Sequence, residues 1–356
     1  MKYTFEITIA GCSTNCAHCY VNGGPAPIMP LDDYHFCIEK LHKILHSLTG
    51  DISLTLGNEL FCHPDIEHII QFTHAVLPDF FSFSNFPVPT TGIALMSKRN
   101  LDKILDVLHE AGADSFFLAI HGGKTSHNRI VQNHYGHQKL IETAQWATKH
   151  GFKAHFNLIV SKILCREFFD IADVITQFPD ASARLTIPIF VPNPRMRKYE
   201  CIRAEKSDCQ AIIPLASELG IDTAAFSRAV TNFSETAIYQ NIIDTLNVKG
   251  SLDDPSPQWA FFNVTQNLDL YYGNVGAHTK CLGNLKHTDS ELLVARISEQ
   301  LSNYSYSGYF SSDAQNRFMS TFSSLEPPTT NRIYPSREDC VFSWMDQGRI
   351  PNLIIK

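Results

Sequence analysis

The sequence lacks any apolar run near the ~20 residues that a membrane-spanning helix requires, which excludes a helical membrane protein. It also lacks a basic excess. The formal net charge is −7 and the sequence pI about 6.1, so a broad nucleic-acid surface is not expected. One basic run, Arg195-Met196-Arg197-Lys198, reads as a solvated loop. The opening residues, MKYTFEITIAGC, have neither the long apolar region nor the small-residue cleavage site of a secretory signal, and a cytoplasmic location is expected. There is no second CxxC pair, the usual partner of a first in structural zinc sites.

What is present is an ordinary globular composition, 44% hydrophobic and 18% charged, over 356 residues, enough for one large domain and a smaller one. Strand-like and helix-like segments alternate. YTFEITIA (3–10), DISLTLG (51–57), FFSFSN (80–85), SFFLAIHG (115–122), FKAHFNLIV (152–160) and ARLTIPIFV (183–191) have strand character. Between them LDDYHFCIEKLHKILHSL, DIEHIIQFTHAVL, LDKILDVLHEAG, KLIETAQWATKHG and EFFDIADVITQF carry apolar residues at helical spacing. Such alternation implies an α/β fold with a parallel sheet, and right-handed crossovers leave a doubly wound sheet or a barrel. Residues 206–255 read as a helical linker region, and WAFFNVTQNLDLYYG (259–273) as a hairpin turning at Gln266-Asn267.

Of ten cysteines, three crowd the loop after the first strand: Cys12-Ser-Thr-Asn-Cys16-Ala-His-Cys19. In a cytosolic setting such spacing points to metal or catalysis before disulfides. Three thiolates suit three irons of an iron–sulfur cubane, leaving the fourth iron open; zinc, or reduced thiols without metal, are the other readings of the same residues. The CxxxCxxC spacing resembles the signature of the radical S-adenosylmethionine (SAM) superfamily. A second match is Leu56-Gly57-Asn58-Glu59 at the end of the second strand, similar to that family's glycine-glycine-glutamate motif, with Asn58 in place of the second glycine and Leu60 in place of a proline. Phe61-Cys62-His63-Pro64-Asp65 resembles the family's continuation. Read without the resemblance, Glu59 is a carboxylate satisfying backbone N–H groups at a helix start.

The resemblance implies a partial (β/α)6 barrel over residues 1–205, with Cys12, Cys16 and Cys19 as metal ligands of a 4Fe–4S cluster and SAM on its open iron. It implies SAM contacts from Gly57, Asn58 and Glu59, an aromatic role near the adenine for His18, and contacts from Ser84 and Asn157. Phe83-Ser84-Asn85, Ala119-Ile120-His121-Gly122 and His127-Asn128-Arg129 are weaker matches in the same order. Further on, Gly276-Ala-His-Thr-Lys-Cys281-Leu-Gly-Asn284 resembles part of the SPASM/twitch extension of peptide-modifying relatives. That implies a degenerate twitch/SPASM-like α+β subdomain over 256–356 without an auxiliary cluster, and it makes Cys281 and Cys340 candidate hydrogen-atom donors. The implied activity is reductive SAM cleavage and hydrogen abstraction from a peptide or small-molecule substrate, with an electron donor such as flavodoxin or ferredoxin. A non-catalytic metal-binding module is the alternative of a different class.

Overall fold

The computed structural model describes residues 2–19, 21, 23–85, 87–191, 193–248, 259–273, 280–303 and 326–349. Its strands are β1 (Lys2–Thr8), β2 (Asp51–Gly57), β3 (Val88–Thr90), β4 (Ser115–Ile120), β5 (Lys153–Ile159), β6 (Ser182–Thr186), β7 (Trp259–Val264), β8 (Asp269–Tyr272) and β9 (Lys280–Asn284). Among the helices are α1 (Leu31–Ser47), α2 (Ile66–Val76), α3 (Leu101–Glu110), α4 (Lys124–Val131), α5 (Gly136–Lys149), α6 (Lys162–Arg166), α7 (Phe168–Ile175) and α8 (Pro194–Tyr199). They are followed by α9 (Lys206–Glu218), α10 (Ala224–Asn232), α11 (Glu235–Val248), α12 (Ser290–Asn303) and α13 (Arg337–Asp346). The fold is α/β with parallel strands, as the alternation requires. No helix among the described residues is long and apolar enough to cross a membrane.

The chain divides into two compact units. The first comprises residues 1–15, 23–116 and 254–312, the second 16–22, 117–253 and 313–356. The first unit holds a five-stranded sheet in the order β2-β1-β7-β8-β9. Strand β1 pairs in parallel with β2 on one edge and with β7 on the other. The hairpin expected at 259–273 forms as β7 and β8, and β9 extends it antiparallel. Because side chains alternate along a strand, this register sorts them by face. Tyr3, Phe5 and Ile7 share one face with Leu54, Leu56, Ala260, Phe262 and Val264, all buried. Phe5 stacks on Phe262 with ring centroids 4.7 Å apart. The opposite face carries Thr4, Glu6 and Thr8 beside Ser53, Thr55, Gly57 and Asn263. Helix α1 follows the same logic, burying Tyr34, Cys37, Ile38, Leu41, Ile44 and Leu45 at helical spacing.

In the second unit β4, which enters from the first, β5 and β6 lie in that order, β5 and β6 parallel. Helices α9, α10 and α11 fill the region expected to be helical. A buried polar knot binds its C-terminal part. Arg203 donates to Glu200 and to the Pro188 and Ile333 carbonyls, Tyr334 donates to Glu200, and the Trp344 indole N–H donates to Glu235.

Two local expectations are corrected. The strand expected over 80–85 reduces to one parallel bridge, Leu54 to Phe81, and a 3-10 turn at Phe83–Asn85, with β3 forming only at 88–90. The Ser82 hydroxyl accepts the Ser84 N–H at 3.1 Å, a side-chain bond that competes with the strand ladder. The basic run at 195–198 is not a loop but helix α8: the Asn193 side chain accepts the Arg195 and Met196 N–H groups, Pro194 occupies the first turn, and Met196 is buried. Helix α4 has no apolar periodicity. Its start is fixed from a distance by Glu167, which accepts the Gly123 N–H and the Ser126 hydroxyl.

Phe5 is fully buried at the centre of the first unit's sheet. Phe5→Ala is expected to lower unfolding free energy by about 3–5 kcal/mol in urea titrations. A loss below about 1 kcal/mol would contradict the packing described.

Candidate active site

In the first unit, β1 and β2 run parallel with Thr8 opposite Gly57, so the two loops that follow them leave the sheet side by side. The first begins the cysteine loop. Gly11 packs so closely that a Cβ would lie 2.3 Å from the Gly24 carbonyl oxygen, and the Cys12 N–H donates to that same oxygen at 2.8 Å. The Cys12 sulfur lies 3.0 Å from the Thr14 hydroxyl. The second loop is Gly57-Asn58-Glu59. A Cβ on Gly57 would come within 2.6 Å of the Glu6 side chain, so any larger residue there would displace that carboxyl. Asn58 takes the left-handed conformation with φ 61°, which asparagine tolerates better than most side chains. Its Nδ2 donates to the Ala10 carbonyl at 3.3 Å and ties the two loops together. Its Oδ1 is buried and has no hydrogen-bond partner.

Glu59 is buried, with both carboxylate oxygens hydrogen-bonded. Oε1 accepts from the Thr90 hydroxyl at 2.8 Å, and Oε2 accepts the Thr91 N–H and hydroxyl, both at 2.7 Å. Burial pushes its pKa up, while these bonds pull it down. One backbone N–H, that of Thr91, donates to Glu59, but its side chain makes no cap bond to the turn Leu60–Cys62 that it precedes. The following turn is anchored by His63, whose Nε2–H donates to the Met29 carbonyl at 2.9 Å while its Nδ1 accepts the Asp65 N–H at 3.1 Å.

Sequence reasoning missed Cys62. Its side chain lies near Cys12 and Glu59 and hydrogen-bonds Ser13; burial, then those two neighbours, push its thiol up to about 11. The signal was present, since Cys62 stands three residues after Glu59, but only the fold brings it beside the cysteine loop.

In the second unit, the segment with Cys16 and Cys19 is held by backbone bonds from Ala17 N–H to the Ile130 carbonyl at 2.9 Å and from Asn193 Nδ2 to the Cys19 carbonyl at 3.3 Å. His18 packs edge-on against His121 at 4.4 Å and near Tyr199 at 5.6 Å. His121 stacks on His127 at 5.3 Å, and His127 meets His137 at 5.7 Å. Burial lowers the His18 pKa to about 4 and that of His127 to about 3, and it takes His121 well below the ordinary range. These rings are neutral at pH 7. Asn157 is buried, its Oδ1 accepting from the Thr186 hydroxyl and from Arg184 Nε at 3.4 Å, so that oxygen is used within the fold. Ser84 is exposed and accepts from the Ser82 hydroxyl at 2.9 Å.

The two candidate donors differ. Cys281 is exposed on β9, with its thiol bonded to the Tyr271 phenol, whereas Cys340 is sealed in α13 and burial raises its pKa well above the usual value. Of the extension motif, Gly276–Thr279 lie outside the described residues. Cys12, Cys16 and Cys19 are each partly exposed and in no disulfide. Among the described residues no three His, Cys, Asp or Glu side chains are gathered as a metal site. The residues fit the implied groups on other grounds: three thiols within one short loop, none in a disulfide, match the ligand chemistry of a cubane cluster. The orphaned Asn58 oxygen is an acceptor awaiting a donor such as an ammonium group.

Below pH 6.5 an unfolded histidine takes up a proton that native His127 refuses until about pH 3. Its folded pKa is the depressed one, so stability is fully present above pH 6.5 and is lost as pH falls, by about 1.4 kcal/mol per pH unit. Urea titrations at stepped pH should show a shallower slope for His127→Leu by that amount. Equal slopes in the two proteins would contradict the buried neutral ring.

The family model that matches is that of the radical SAM superfamily, over residues 7–167. No curated protein matches the sequence. Solved structures do. The chain is similar to native anSMEcpe with bound AdoMet and the Cp18Cys peptide, at 15% identity and TM-score 0.53, over 82% of this chain and 80% of that one. It is likewise similar to native anSMEcpe with bound AdoMet alone, at 14% identity and TM-score 0.53, with the same coverage. Coproporphyrinogen III oxidase (HemN) from Escherichia coli aligns at 14% identity and TM-score 0.48, over 84% of this chain and 70% of that one. The superfamily's cofactors are a 4Fe–4S cluster and SAM. With the domain match, the α/β fold and the CxxxCxxC loop in agreement, the chain carries a radical SAM domain over residues 7–167.

Proposed function

We propose that Cys12, Cys16 and Cys19 hold the 4Fe–4S cluster, that Gly57, Asn58 and Glu59 receive SAM beside it, and that the substrate is a peptide undergoing epimerisation, crosslinking or oxidation. The observation that carries the site assignment is the bond from Asn58 Nδ2 to the Ala10 carbonyl, which ties the glutamate motif to the start of the cysteine loop. When bound, these groups supply reductive cleavage of SAM to a 5′-deoxyadenosyl radical that removes a hydrogen atom from the substrate.

The chain's own residues do the rest. Glu59, locked by Thr90 and Thr91, offers a carboxylate of fixed orientation, which suits charge-assisted bonding of the SAM amino group. Asn58 adds an unsatisfied acceptor next to it. The neutral His18 ring, held against His121 and Tyr199, offers an uncharged aromatic surface for the adenine. Ser84, exposed at its turn, and Asn157, through the amide N–H groups left after its oxygen is used, are assigned contacts with the nucleoside. Gly57 keeps the strand end free of a side chain.

The peptide assignment rests on the Cys281–Asn284 elements and on anSMEcpe, a fold neighbour described with a peptide bound. Residues 256–356 are assigned as a twitch-like extension without an auxiliary cluster, after the 1–205 core and a 206–255 helical linker. Of the two candidate hydrogen donors, Cys281 is the accessible one. Electrons are assigned to a flavodoxin- or ferredoxin-like donor, and the location to the cytoplasm, where ten thiols outside any disulfide stay reduced.

Replacing any one of Cys12, Cys16 and Cys19 by alanine should abolish cluster assembly or SAM cleavage, and cleavage surviving in all three variants would refute the ligand assignment. Glu59→Ala should weaken SAM binding about ten- to a hundredfold by calorimetry, the loss of one charge-assisted bond, with cluster content nearly unchanged. Cys281→Ala should still cleave SAM but stall product formation. Trapping against peptide and metabolite pools separates the proposed substrate from a small molecule.

A further inference from the structure

Glu6 lies in the middle of β1, on the polar face of the sheet, directly opposite Asn263 of β7 and Thr55 of β2. Its side chain leans over Gly57: Cγ, Cδ and Oε1 all lie 2.6 Å from the position a Cβ would take there. Among the described residues nothing donates a hydrogen bond to the Glu6 carboxyl and no cation faces it, and burial alone lifts its pKa to about 7. A desolvated carboxyl without a partner is costly, and such groups cluster where a ligand supplies the missing contacts.

Asn263 presents the same deficit. It is 1% exposed. Its amide nitrogen is spent within the sheet, donating to the Glu6 backbone carbonyl at 3.2 Å and to the Thr8 hydroxyl at 3.1 Å. Its Oδ1 is buried with no partner. Neighbouring strands therefore present, in one row of one face, a carboxyl and a carboxamide oxygen, two acceptors without a donor between them. A hydroxyl or an amide brings lone pairs as well as hydrogens to such a site. An ammonium group brings three N–H donors, no lone pair, and the positive charge that a half-buried carboxylate lacks.

We propose that Glu6 and Asn263 form a recognition subsite for a primary ammonium group on the polar face of the β2-β1-β7 sheet. The carrier is the substrate, as a lysine side chain or peptide amino terminus. The inference rests on the radical SAM reading for this carrier, and on the sheet alone for the chemistry.

Infrared difference spectroscopy on the reconstituted holoenzyme at pH 7 tests it. The C=O stretch of protonated Glu6 is identified by its disappearance in Glu6→Gln. Titration with n-butylammonium, in the presence of SAM, should remove that band saturably, while n-butanol at equal concentration should not. Asn263→Ala should raise the half-saturating concentration about tenfold, one neutral hydrogen bond's worth; should that variant fail to fold, the wild-type titration decides alone. SAM by itself should leave the band in place. A band that SAM alone removes, that the alkylammonium leaves unchanged, or that responds equally to butanol overturns the subsite. Production of 5′-deoxyadenosine is read on the same samples: a silent Glu6 with deoxyadenosine present sinks the subsite alone, and a responding Glu6 without it sinks the radical SAM reading alone.

Discussion

Strand β1 is hydrogen-bonded along both edges, to β2 on one side and β7 on the other, and the first unit is organised by that double pairing. One face of β1, through Tyr3, Phe5 and Ile7, is committed to the apolar core, which fixes the register, because a slip of one residue would exchange the faces. With register fixed, Thr8 stands opposite Gly57, and the two loops bearing the recognition motifs emerge together. The position of the site follows from burial on the other side of the sheet.

The same constraint places polar residues where they are costly to hold. Glu59 is compensated by two threonines. Asn58 and Asn263 each keep one buried oxygen without a partner, and the Glu6 carboxyl has none. Stability alone would favour apolar residues at these positions. Their grouping around the C-terminal ends of parallel strands accords with the general rule that such sheets bind ligands there.

Much of this was legible in the sequence, for identifiable reasons. The β2 segment DISLTLG and the helical stripes of α1 and α3 follow from local periodicity. The cysteine loop is legible because its ligands are close in sequence. What escaped depends mostly on distant partners. Helix α4 is set by Glu167, some forty residues on, and the start of α8 by a local cap, Asn193, within a run that looks merely charged. Glu6 reads as a solvent-facing position in an alternating strand until β7, from the far end of the chain, pairs beside it. Cys62 gains meaning only beside Ser13 and Cys12.

The central claim is that one cluster on the Cys12–Cys19 loop cleaves SAM. Anaerobic reconstitution with iron and sulfide, followed by iron counting and an assay for 5′-deoxyadenosine with SAM and reductant, addresses it directly. About four irons per chain and deoxyadenosine are the expected result. Bound zinc, or neither metal nor deoxyadenosine, would contradict a single SAM-cleaving cluster on this loop, and about seven or eight irons would show a second cluster.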